Sequence, residues 1–361
     1  MKKYNKIWFI LLSLALGFAF GAIALLIAGF NPLQAYGIIL KGVFSRPKYI
    51  SWTIIRATPV ILTGLGVAFA FRTGTFNIGA EGQYIIGAMT AAWFGYFLNL
   101  PPVLHITVCL LAAAVAGGIW AGIAGFIKAR FGVNEVITTI MLNWIAFYLN
   151  NFIIYLPIFK RPNSENSYSI QASAVTKIFQ GLRGSSTFAV KDFFSAPVNI
   201  GFILAIITAI ILWFILKRTT LGYSLKTVGL NQDAAEYGGI NVKRNIVISM
   251  AISGAVCALG GATQVLGVTG NIATLGGMEG NGFDGIAVAL LAFNHPIGAI
   301  FTGLFFGGLK FGASQIQRLM GAPYEMIQIV IGTIILFTSM PMFTKILSVK
   351  LKKRKRGGKD A

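Results

Sequence analysis

Charge is scarce in this chain. Only 11% of its 361 residues are Asp, Glu, Lys or Arg, against about 25% in soluble globular domains. There are two histidines and two cysteines. No H-E-x-x-H occurs, and so few soft ligands offer no zinc cluster. Cys109 and Cys257 both fall in apolar runs, where burial of a small side chain explains them better than a disulfide. No G-x-x-x-x-G-K-[ST] is present, so the chain has no phosphate-cradling loop of its own. The glycines of "GGMEGNG" (276–282) have no strand leading into them, which argues against a dinucleotide site. No nucleophile can be paired with a base. Covalent chemistry is not expected, and neither is a cofactor bound by this chain.

Apolar residues take the place of charge. They make up 56% of the chain, and the mean hydropathy is +0.75. Apolar runs predict ten crossings, at about 7–29, 52–71, 77–97, 103–126, 135–157, 198–216, 245–267, 283–293, 297–317 and 325–347. The first is too long for a signal-peptide core of about 7–15 residues, so it reads as an uncleaved span. The eighth, "FDGIAVALLAF", is too short to cross a core of about 30 Å and reads as a half-helix or re-entrant segment. The predicted fold is an all-α, polytopic transmembrane helical bundle. One membrane domain would occupy residues 1–350, with a polar outer loop at 158–197 and a polar inner loop at 217–244. A basic tail would follow at 351–361.

The net charge of +20 does not point to nucleic acid, because Lys and Arg sit at the ends of apolar runs. With the N-terminus inside, the inner segments hold Lys2, Lys3, Lys6, Arg72, Lys128, Arg130, Lys217, Arg218, Lys226, Lys243, Arg244 and the tail "KLKKRKRGGK". That bias predicts a multi-pass protein with both termini in the cytoplasm, its basic residues facing anionic membrane lipids.

Carboxylates and amides at membrane depth are costly, about 2.5–3.5 kcal/mol for an acid on insertion scales, and so invite a functional reading. Asn77, Glu81, Gln83, Asn134, Glu135, Asn143, Asp284 and Asn294 are the candidates for a substrate path. Amides donate and accept, which suits a neutral, hydroxyl- or base-bearing solute. The same groups also serve as glue between helices, and spacing does not decide between the two. "FNIGAEGQYIIGAM" (76–89) and "FDGIAVALLAFNHPIGAI" (283–300) echo each other weakly, as halves of duplicated transporters do.

One polar stretch stands apart: "LKTVGLNQDAAEYGGINVKR", 225–244. Asn231 can cap a helix start, Asp233 suits its positive end, and Gly238 and Gly239 can end it. The predicted helix, Gln232–Tyr237, is only about 9 Å long at about 1.5 Å per residue, and cannot be stable alone in water. Exposed Gln232, Glu236 and Tyr237 would touch a partner, with Ala234 and Ala235 allowing close approach. Short links, Lys226–Asn231 and Gly238–Arg244, would tie the helix to two spans.

"RTTLGYSLKTVGLNQDAAEYGGINVKR" (218–244) resembles the coupling loop of ABC importer permeases of the ribose, xylose and branched-chain amino-acid class. The similarity covers roughly 50–345. "FRTGTFNIGAEGQYIIGA" (71–88), "NEVITTIMLNWIA" (134–146) and "GFDGIAVALLAFNHPIGAI" (282–300) are similar to its nucleoside-importing branch. The resemblance implies a permease subunit moving nucleosides. Its partners would be two ATPase chains carrying ATP and Mg, a second permease chain, and an extracytoplasmic substrate-binding lipoprotein. Gly229, Asn231, Gln232, Asp233, Ala234, Ala235, Glu236, Tyr237 and Gly238 would couple to the ATPase. The alternatives are an ion-gradient-driven secondary transporter, or an ABC permease for a simple sugar.

Overall fold

The structure, a computed structural model, describes residues 3–178, 184 and 187–339. Among these, β structure is limited to isolated bridges. In chain order the helices are α1 (Lys3–Ile27), α2 (Pro32–Phe44), α3 (Pro47–Arg72), α4 (Ala80–Phe97), α5 (Pro102–Phe131), α6 (Glu135–Ile154), α7 (Phe188–Phe194), α8 (Gly201–Arg218), α9 (Thr220–Leu230), α10 (Gln232–Tyr237), α11 (Val242–Gln264), α12 (Asn281–Leu291), α13 (Pro296–Met320) and α14 (Tyr324–Ser339). A π-helical turn, Val265–Thr269, continues α11. The bundle is all-α, as its composition predicts.

Each expected crossing contains a helix. Six described helices are long and apolar enough to cross a membrane, or seven if the bent pair α1–α2 is one span. α12 has 11 residues, about 16 Å at about 1.5 Å per residue. α4 starts with Glu81 and Gln83, and its first two turns are buried in protein rather than offered to lipid. The end of the tenth run, 340–347, lies outside the described residues, as do the tail 351–361 and part of the loop 158–197. α2 was not anticipated. Asn31 caps it, accepting from the Leu33 and Gln34 amides, and Pro32 opens it.

Two compact units result, Met1–Ser45 with Leu309–Ala361, and Arg46–Gly308. In the first, α1 lies along α14, and Phe20 stacks on Phe337 with ring centroids 4.6 Å apart. In the second, α11 packs against α5, α4 and α3. Small residues make this possible: a Cβ added at Gly117 would sit 2.6 Å from the Gly254 carbonyl oxygen. Close backbone approach of this kind is the usual basis of helix association in lipid. α3, 83% buried over its apolar window, lies innermost. Cys109 and Cys257 are both free and buried.

Candidate functional site

Four of the sequence candidates converge on the loop between α3 and α4. Asn77 and Gln83 pair reciprocally: Asn77 Nδ2 donates to Gln83 Oε1 at 2.9 Å, and Gln83 Nε2 donates to Asn77 Oδ1 at 3.0 Å. Asn77 also donates to Ser253 Oγ on α11 at 2.8 Å and accepts from the Gly79 amide at 2.9 Å. Asn143, from α6, accepts from the Gly82 amide at 2.8 Å and donates to the Ile78 carbonyl at 3.1 Å. Glu135 accepts from the Phe76 amide at 3.2 Å and is ion-paired to Lys128. Asn77, Gln83 and Asn143 are fully or almost fully buried. Their hydrogen-bonding capacity is directed at the protein itself, as a buried amide requires.

Glu81 joins the two segments that echo each other in sequence. It is fully buried in the first turn of α4. Its carboxylate accepts from the amides of Gly280 at 2.8 Å and Gly282 at 2.6 Å, at the start of α12. One buried carboxyl group in the first turn of α4 thus satisfies two amides at the start of α12. No side chain fits at Gly282, where a Cβ would lie 2.2 Å from the Glu81 backbone nitrogen.

The remaining candidates lie apart. Asn134 caps α6 by accepting from the Val136 amide at 2.9 Å. Asp284, half-buried, is in the first turn of α12. Asn294 has φ +56° beyond the end of α12, and its Oδ1 is buried with no hydrogen-bond partner among the described residues.

A cavity with several polar groups on a mainly apolar wall was not assembled from the sequence. Tyr84, Asn150, Gln264, Thr269, Asn271 and Glu279 surround about 110 Å³ between α4, α6 and the end of α11. Tyr84 donates to Glu279 Oε2 at 3.1 Å, and Asn281 Nδ2 donates to the same oxygen at 3.0 Å. Asn150 and Tyr84 lie in apolar runs and their polarity is visible. Their meeting with Thr269 depends on a π turn that no periodicity announces. The loop 158–197 packs nearby: the Ser167 amide donates to the Ile272 carbonyl at 2.9 Å, and the Ile170 amide to that of Gly270 at 2.8 Å. Ligand pockets usually measure about 300–1,000 Å³, so this cavity must widen to hold a ring-bearing solute.

The short polar helix α10 forms over Gln232–Tyr237, and Asn231 Oδ1 accepts from the Ala234 amide at 3.0 Å. Gly239 follows with φ +77°. Gln232, Asp233, Ala234, Glu236 and Gly238 are exposed, and Tyr237 is 98% exposed. Ala235 departs from the expectation. It is fully buried against Val228 and Ile246, so it anchors the helix to its own chain rather than easing a partner's approach. The links also differ. Lys226–Leu230 belong to α9, whose start Thr219 caps by accepting from the Gly222 amide at 3.1 Å, and Val242–Arg244 belong to α11. Gly229 faces inward, where a Cβ would lie 2.7 Å from the Thr73 carbonyl carbon. The polar helix therefore abuts, through α9, the loop that carries Asn77.

Comparison with known proteins agrees with this arrangement. Over 354 residues the chain is 40% identical to the guanosine ABC transporter permease protein NupP of Bacillus subtilis, covering 98% of this chain and 99% of the relative. The nucleoside ABC transporter permease protein NupB of Lactococcus lactis is 35% identical, over 97% and 95% of the two chains. The glucose ABC transporter permease protein TsgB13 of Haloferax volcanii is 30% identical, over 94% and 88%. Residues 49–339 match the family described as the permease component of the branched-chain amino acid transport system. The chain is a multi-pass membrane protein and belongs to that permease family.

Proposed function

We propose that this chain is the membrane-spanning subunit of an ATP-driven importer of nucleosides. The observation that carries the reading is its near-full-length likeness to two permeases named for guanosine and nucleosides. ATP and Mg would be held by partner ATPase chains in the cytoplasm, where both termini of this chain would also lie. A second permease chain and a substrate-delivering lipoprotein outside would complete the complex. NupQ, a second guanosine permease protein of Bacillus subtilis, is 36% identical over 71% of this chain, and supports pairing of two unlike permeases.

The geometry supplies a route for the coupling. The ATPase would grip α10 at Gln232, Glu236 and the exposed ring of Tyr237. Motion would pass through Ala235 to Val228 and Ile246, and through Gly229 to the loop at Thr73. α11, helical over Val242–Gln264 and continued by the π turn, would carry the displacement to the cavity at Tyr84 and Glu279. Release of Glu81 from the start of α12 would widen that cavity. Asn77, Gln83, Asn134, Glu135, Asn143, Asp284 and Asn294 would frame the path around it.

Uptake of labelled guanosine, adenosine and uridine by a strain lacking this chain, with and without its restoration, tests the proposal. Restoration should recover uptake of at least one nucleoside, and unlabelled nucleosides should compete. The Haloferax volcanii relative, named for glucose, favours a second reading, in which a hexose is carried. Restored glucose uptake without nucleoside uptake would establish that reading. Uptake by the purified chain alone, driven by an ion gradient without ATP, would establish a secondary transporter.

A further inference from the structure

α5 and α11 run antiparallel, with Gly117 beside Gly254 and Gly125 beside Val247 and Met250. On their outer side they form an open groove of about 710 Å³, lined almost wholly by apolar atoms. Its floor is small, with Gly118, Gly122 and Ala251 among the lining residues. Its walls are large, and Leu111, Val115, Ile119 and Phe126 are each more than half exposed.

The groove has one polar end. On α5 the lining positions step by three or four residues to Phe126, and the next step of four is Arg130. On α11 the lining starts at Val247, and steps back of three and four reach Arg244 and Lys243. Helical periodicity therefore sets three cations one turn beyond the apolar floor, on the same faces of the same two helices. All three are exposed and none has a side-chain partner among the described residues, whereas neighbouring Lys128 is neutralised by Glu135. From Leu111 to Phe126 the groove spans about 22 Å at about 1.5 Å per residue. One leaflet is about half of a ~30 Å hydrocarbon core, so one acyl chain can lie along the floor with its headgroup level with the cations.

We propose that this groove is a binding site for one anionic phospholipid, with an acyl chain on the Gly118–Gly122–Ala251 floor and the phosphate held by Arg130, Lys243 and Arg244. A neutral lipid would fill the groove without gaining from the cations. A helix of another protein would bury the floor but, without acids placed at the same level, leave the three charges unanswered. The site is independent of which solute the chain carries. Val242 and Ile246, beside Ala235 of α10, place the headgroup next to the polar helix, so occupancy would also steady that helix.

The test is native mass spectrometry of the purified, delipidated full chain, titrated with phosphatidylglycerol or with phosphatidylcholine of the same acyl composition. Wild-type protein should retain one phosphatidylglycerol in clear preference to phosphatidylcholine. Combined Arg130→Gln, Lys243→Gln and Arg244→Gln should weaken that adduct about tenfold or more, since each cation near the surface contributes on the order of 1 kcal/mol. Gly122→Leu should reduce adducts of both lipids. The added Cβ there meets only the Ala251 Cβ, at 3.9 Å, so the chain itself should fold. Equal binding of the two lipids by wild type, or an unchanged preference in the triple variant, overturns the proposal. Unchanged adducts together with loss of a co-purifying permease or ATPase chain overturn it too, and assign the surface to that protein.

Discussion

The Gly282 amide donates to Glu81 Oε2 at 2.6 Å, across 201 residues of sequence. This bond, with its companion from Gly280, closes the start of α12 onto the start of α4. A buried carboxyl group that accepts two backbone amides at the start of a helix satisfies donors that the helix itself leaves open. The same arrangement ties α12, too short to cross a membrane, to α4.

Glu81→Ala should leave the Gly280 and Gly282 amides without their acceptor and lower the stability of the detergent-purified protein by on the order of 3 kcal/mol, because hydrogen bonds to charged groups contribute about 1.5–3 kcal/mol each. Glu81→Gln keeps one acceptor and should fall between. Gly282→Ala should be as damaging as Glu81→Ala, since its methyl group would meet the Glu81 backbone. Gly277→Ala, with open space around it, should change little. Thermal melting followed by size-exclusion chromatography ranks the four variants. Full stability with lost uptake in Glu81→Ala would instead place this carboxylate on the solute's path.

Asn77 and Gln83 should behave as one unit. Each exchanges two hydrogen bonds with the other, so either single alanine variant strands buried polar groups on its partner. The double variant removes both sides of the pair. The two single losses should therefore add to more than the loss in the double variant, with a coupling energy of about 0.5–3 kcal/mol. A thermal-stability cycle over the four proteins measures it. Strict additivity would mean that the pairing contributes nothing of its own.

The helix Gln232–Tyr237 was legible to the residue, because its cap, first-turn acid and terminal glycines are all local signals. So was the shortness of α12, which needs only a count of apolar residues. Partners were not legible. Ala235 and Ala234 are identical in sequence, yet one is fully buried and the other exposed, because burial depends on where α9 and α11 return. Glu81 was visible as an acid at membrane depth, but its ligands are glycine amides, which carry no sequence signal as donors. The number of spans was less legible for a related reason. Hydropathy detects burial and not its source, so α4, whose first turns are enclosed by protein, reads like a helix enclosed by lipid.

Tyr84→Phe and Glu279→Gln should alter which solutes are taken up more than they alter stability. Glu279 is exposed at the cavity rim and its Oε2 is already engaged by Tyr84 and Asn281. Glu279→Gln exchanges an anion for a group that both donates and accepts. Discrimination between solutes that present N–H donors and those that present only acceptors should change several-fold in competition assays, with the melting temperature nearly constant. An unchanged competition profile in both variants would remove this cavity from the solute's path.

The two faces of α10 should separate cleanly in mutagenesis. Glu236→Arg and Tyr237→Ala alter exposed side chains, Tyr237 being 98% exposed. Both should leave folding intact and reduce ATP-dependent uptake at least tenfold. Ala235→Asp buries an unpaired carboxylate against Val228 and Ile246, which costs several kcal/mol, and should lower the amount of folded protein itself. Gly229→Ala lies between these cases. Its methyl group would push on the Thr73 backbone, so the protein should still insert but transmit motion poorly to the loop that carries Asn77. The measurement that distinguishes the classes is uptake per correctly inserted molecule, alongside ATPase rate in the assembled complex. A Gly229→Ala complex that hydrolyses ATP at the normal rate while importing little solute would locate the coupling step at this contact. Normal import in both Glu236→Arg and Tyr237→Ala would mean that the motor does not act through α10 at all.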